Sequence, residues 1–98
     1  MISRQLYQVQ MEAQLRDLTA KLGDLTAKVN KATVTARSNF EEQISSLQAK
    51  QFRLHSRLKK LEQATDDNWE MMKDGVDAAA VDLRRSLERG VTRFNTGE

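Results

Sequence analysis

The sequence predicts an all-α protein, specifically a long-helix antiparallel coiled-coil hairpin that self-associates, and three observations carry the prediction. Apolar residues recur at alternating spacings of three and four along most of the chain, which is the period of a helix packed along a narrow seam. The 98 residues contain no Pro, no Cys and only three Phe, one Tyr and one Trp, too few large side chains for an ordinary globular core. Ala, Glu, Lys, Leu, Arg and Gln dominate instead, the bias of long helices. Charge is also segregated, with six acids against one base between residues 65 and 83.

The first helix is expected over about 4–64. From Met11 its seam runs through Leu15, Leu18, Leu22, Leu25, Val29 and Ala32. Within it LRDLTAK (15–21) recurs as LGDLTAK (22–28), so the repeat unit is a heptad. Each copy sets an acid four residues before a base, Asp17 with Lys21 and Asp24 with Lys28, an orientation that supports a helix. The seam continues through Ala36, Phe40, Ile44, Leu47, Gln51, Leu54, Leu58 and Leu61. Consecutive spacings of four around Ala36 and Phe40 mark a stutter, where a supercoil unwinds. Thr33, Val34 and Thr35 lower helix propensity at the same place, so this is the softest part of a helix expected to remain continuous.

The turn is expected near Thr65, with Thr65 or Asp66 as N-cap and Asp66, Asp67 and Glu70 crowded into a first turn where the helix dipole favours acids. A second helix over about 66–94 then carries the seam Trp69, Met72, Val76, Ala79, Leu83, Leu87, Val91 and Phe94. Folding back at residue 65 sets the acidic block beside Lys50, Arg53, Arg57, Lys59 and Lys60, and further on brings Arg84, Arg85, Arg89 and Arg93 level with Glu41 and Glu42. The hairpin seam is therefore Leu54, Leu58 and Leu61 against Trp69, Met72, Val76, Leu83 and Leu87. The whole of 1–98 forms a single coiled-coil domain in this reading.

A second helix of this length covers only residues 36–64 of the first, leaving the heptads of residues 8–35 unpartnered. An exposed leucine seam of that length favours association. The expected partner is the protein itself, as homodimer or homotetramer, through Met11, Leu15, Leu18, Leu22, Leu25 and Val29.

In the last third, Asp67, Trp69-Glu70, Met72-Lys73, Gly75-Val76-Asp77, Ala79, Asp82-Leu83, Ser86-Leu87 and Arg93-Phe94 together resemble the end of a family of small bacterial coiled-coil proteins. The family is known from cyanobacteria and other bacteria, and its members are usually labelled stress-response proteins. Members often place a second aromatic where this chain has Ala80 and Val81. The resemblance implies a charged heptad helix followed by a shorter Trp-containing one and a link to stress; it implies no catalytic site and leaves the biochemical activity open.

The residues point to no catalysis, cofactor or metal. Cysteine chemistry is absent, and the sole histidine, His55, has Leu58 and Lys59 where a helical metal site would place its second ligand. No phosphate loop or nucleophile motif occurs. Trp69 is expected as a core plug at the hairpin end, and Met71 as half exposed. The basic run from Lys50 to Lys60 is expected to face the acidic block, which argues against nucleic acid, as does the near balance of sixteen bases and fourteen acids. The expected function is a non-catalytic structural or scaffold role in a stress context; the alternative is reversible binding of a membrane surface or an unfolded client through amphipathic helices, although the polar side of the last helix is acidic as far as Arg84. Residues 1–14 hold no apolar run of signal-peptide length and no window approaches a membrane span, so the expected location is cytoplasmic.

Overall fold

The computed structural model describes residues 3–97, and they are all-helical, with no strand among them. Three helices follow one another: α1 (Arg4–Lys31), α2 (Val34–Glu62) and α3 (Trp69–Asn95). They lie side by side in a bundle about 50 Å long and 18 by 16 Å across. No described helix is long and apolar enough to cross a membrane.

Local chemistry explains each boundary. Ser3 caps α1 by accepting a hydrogen bond from the Leu6 amide (3.0 Å), and Lys28 and Lys31 lie in its last turn, where cations suit the dipole. Thr33 caps α2 in the same way, accepting from the Ala36 amide at 3.1 Å. α3 begins at Trp69 rather than at 66. Residues 65–68 form a turn in which the Asn68 amide bonds the Thr65 carbonyl, and Asn68 precedes the helix without a side-chain cap. Gly97, with φ of 77°, ends the chain's last turn in the left-handed region that favours glycine.

The largest departure from the sequence reading is at Ala32 and Thr33, where the expected helix of residues 4–64 breaks into two. Both residues are extended, and α1 folds back along α2. Magnitudes decide the outcome. Breaking a helix forfeits about four backbone hydrogen bonds worth roughly 0.5–1.5 kcal/mol net each. Folding back buries Tyr7, Met11, Leu18, Leu22, Leu25 and Val29, at about 1.5–3 kcal/mol for each large apolar side chain. Burial wins, and the break falls at the stutter because propensity is lowest there.

The core is consequently a single column shared by three helices. At one end Tyr7, Leu61 and Trp69 are buried; Leu54, Val76 and Leu83 at its centre are wholly inaccessible; Phe40 closes the other end, with Phe94 set edge-on at 5.5 Å between ring centroids. α3 serves both neighbours, which is why its buried set is wide and paired: Ala79 with Ala80, Ser86 with Leu87. Gly90 permits one close approach. A Cβ there would stand 3.2 Å from both Leu25 and Gln43 side chains.

Candidate functional site

The end of the bundle where the chain enters α1 is held by a knot of aromatic and charged groups. The Arg4 guanidinium donates to Asp66 (2.6 Å) and to the Ala64 carbonyl (2.8 Å), and sits over the Trp69 ring at 5.6 Å from its centroid. Tyr7 meets Trp69 edge-on, with centroids 5.7 Å apart. Its hydroxyl donates to Asp77, and Lys73 donates to the other oxygen of the same carboxylate at 3.1 Å. The first turns of α1 are thus tied both to the 63–68 loop and to α3.

Burial first, and then the bond to Asp77, push the Tyr7 phenol above its ordinary value. The hydrogen bond to Asp77 likewise raises Lys73. Both groups hold their protons more tightly folded than unfolded, so the stability they contribute is complete below the free-group values of about 10 and is lost as pH rises beyond them. The melting temperature of the wild type should fall between about pH 8 and pH 11, because free phenols and amines titrate near pH 10. The fall should be shallower in Tyr7→Phe, and an equal fall in both would show that the phenol is not involved.

A second polar ladder runs between α2 and α3. Arg57 donates to the Gly75 carbonyl (3.0 Å). Lys50 bonds Ser86 Oγ (2.6 Å) and pairs with Asp82 (3.2 Å), and Arg89 reaches the same Ser86 oxygen at 3.1 Å. Arg93 donates to Gln43 (2.9 Å) and stacks over Phe40 at 4.4 Å. The chain therefore reverses at the 63–68 loop, but the charge pairing expected of that reversal is largely unmade. Of the cations from Lys50 to Lys60, only Lys50 pairs with the acidic block among the described residues; Lys59 instead approaches Glu62 on its own helix. Glu41 and Glu42 likewise hold none of the α3 arginines. Geometry supplies the reason: Asp77 is engaged by Tyr7 and Lys73 on the side of α3 that faces α1. On α1, Asp17 pairs with Lys21 at 3.1 Å, whereas the second heptad's Asp24 and Lys28 do not pair.

The residues placed on two separate seams meet in one core. Met11, Leu18, Leu22, Leu25 and Val29 are buried and Leu15 is half-buried; so are Leu54, Leu58, Leu61, Trp69, Val76, Leu83 and Leu87, with Met72 half-buried. Trp69 lies at the bundle end, 5% exposed, while Met71 is 72% exposed. His55 is exposed, and among the described residues no three acidic, His or Cys side chains gather as a metal site would require. The knot around Tyr7 and Asp77 was missed by the sequence reading. Tyr7 stands four residues before Met11 and extends the α1 seam by one step; that spacing was its available signal.

No protein-family model matches the chain, and neither a curated protein nor a solved structure matches it.

Proposed function

We propose that the protein is a non-catalytic helical scaffold that self-associates by exchanging its first helix between chains, in the stress-response setting that the resemblance of its last helix implies. The carrying observation is the hinge. Only Ala32 and Thr33 separate α1 from α2, neither residue is Gly or Pro, and the seam spacing runs through them from Val29 to Ala36. Straightening the hinge joins α1 and α2 into one helix of about 88 Å. The seam of Met11, Leu15, Leu18, Leu22, Leu25 and Val29 then packs on α2 and α3 of a second chain, recreating between molecules the core contacts that α1 makes within one. Exchange of an identical element in this way is a low-cost route to a dimer, because only the hinge differs between the two forms.

Hinge substitutions test the proposal in opposite directions. Thr33 has φ of −64° in extended backbone and follows an extended Ala32, a conformation that proline shares. Thr33→Pro therefore fits the bent backbone; it loses the cap bond to the Ala36 amide, about 1 kcal/mol, but costs a straight helix about 3 kcal/mol, so the bent form gains and light scattering should give a monomer. Thr33→Ala removes the cap that favours bending, about 1 kcal/mol per hinge, and with two hinges should raise the dimerisation constant roughly thirtyfold. A monomeric mass for both wild type and Thr33→Ala at all concentrations up to about 1 mM would overturn the proposal.

A further inference from the structure

We infer that the face shared by α2 and α3 binds the phosphate backbone of double-stranded nucleic acid, independently of sequence. Lys50, Arg53 and Arg57 follow one another at spacings of three and four on α2, and Arg85, Arg89 and Arg93 at spacings of four on α3, so each set occupies one side of its helix. The ladder between the two helices brings the sets together. Lys50 and Arg89 converge on Ser86 Oγ, and Arg93 crosses to Gln43.

The charge state of this face is what gives it a partner. None of its five arginines forms an ion pair with a described residue; the pairs present are Arg4–Asp66, Lys21–Asp17, Lys50–Asp82, Lys59–Glu62, Lys73–Asp77 and Arg84–Glu88. Arg57, Arg89 and Arg93 are instead held by neutral oxygens, of Gly75, Ser86 and Gln43. Such bonds position a guanidinium without cancelling its charge, leaving further N–H groups free for a bidentate anion. Against the six cations stand three acids: Asp82, engaged by Lys50, Glu42 on the groove wall, and Glu88 beside Arg85, Arg89 and Arg93 but approached by Arg84 at 4.0 Å. The protein carries a net charge of only +2, so this face concentrates positive charge that the rest of the surface offsets.

The shape selects among polyanions. From the level of Gly75 to Arg93 the face extends about 27 Å, the length of roughly eight base pairs. Asn39, Gln43, Ser46 and Ser86 line the groove beside Lys50, Arg89 and Arg93, and the ring beneath Arg93, Phe40, is only 2% exposed and offers no face to a base. Single strands are gripped by stacking on accessible rings, and a lipid surface by an apolar face flanked by cations. A straight rank of cations with hydroxyl and amide neighbours suits duplex phosphates. The face belongs wholly to α2 and α3, so exchange of α1 leaves it intact.

The test is fluorescence anisotropy of a labelled DNA duplex of about 20 base pairs and arbitrary sequence, titrated with protein from about 50 to 200 mM salt. The wild type should bind in the range of about 10⁻⁴ to 10⁻⁶ M near physiological salt. Arg85→Gln with Arg89→Gln, both exposed in α3, should weaken binding and reduce the slope of log K against log salt by about 1.8, at 0.9 per lost phosphate contact. Lys21→Gln with Lys28→Gln removes the same charge from α1 and should leave affinity and slope unchanged. Circular dichroism of both variants establishes that they fold. No binding at the lowest salt, an equal loss in the two variants, or capture only by vesicles of phosphatidylcholine with phosphatidylserine would each overturn the inference.

Discussion

Leu18→Asp combined with Leu25→Asp is expected to destroy the cooperative fold of the single chain. Both leucines are 3% exposed in the column shared by three helices. A carboxylate forced into either position loses its hydration without gaining a partner, and each substitution also deletes a buried isobutyl group. Together these terms exceed several kcal/mol per site, against a total stability of about 5–15 kcal/mol for a domain. Urea denaturation followed by circular dichroism at low protein concentration should show either no folded baseline or a broad, early transition. A seam used only between chains would give the opposite result: lower mass with an unchanged monomer melt. That outcome would contradict the three-helix core.

Trp69→Ala should produce the next largest loss, about 3–5 kcal/mol. The indole is 5% exposed at the open end of the bundle and touches all that fixes the start of α1, with Tyr7 edge-on and Arg4 over its face. Its removal leaves a cavity between the start of α1 and the 63–68 loop, and takes away the ring that Tyr7 and Arg4 pack on. Hydrogen exchange should report the damage unevenly, with amides of α1 near Tyr7 and of the 63–68 loop exchanging faster than those around Phe40 and Phe94. Tyr7→Phe, which keeps the ring and removes only the hydroxyl bond to Asp77, should cost about 0.5–1.5 kcal/mol. Equal losses from Trp69→Ala and Tyr7→Phe would mean that the indole contributes no packing.

The two deep substitutions and the hinge variants address one question from two sides, since the same α1 seam fills the core in the bent chain and the exchanged one. Leu18 and Leu25 are required by both forms, whereas Thr33 distinguishes them. The basic face is separate from both, and its arginines remain unpaired because the acids expected to neutralise them point elsewhere: Asp77 towards Tyr7, Asp66 towards Arg4.

Helical class, the apolar identity of each seam and the helix ends near residues 4, 62 and 95 were determined by the sequence alone, because periodicity is an interaction between residues three or four positions apart; the cap expected at Thr65 or Asp66 was not, since α3 starts at Trp69 without a side-chain cap. The weak segment at Thr33–Thr35 was legible in the same way, as low propensity on a stutter. Whether it bends was not legible. That depends on whether α1 finds α2 and α3 in its own chain, a burial term of several kcal/mol summed over residues separated by more than sixty positions, such as Tyr7 and Trp69. The charge pairing was decided at the same level. A long side chain chooses among partners by its angle on the helix once three helices are packed, and a register that makes Lys50 meet Asp82 leaves Arg53, Arg57, Arg85, Arg89 and Arg93 without a described carboxylate partner. Local rules therefore settled which residues are helical and which are apolar, while tertiary packing settled which faces meet and which charges remain for a partner.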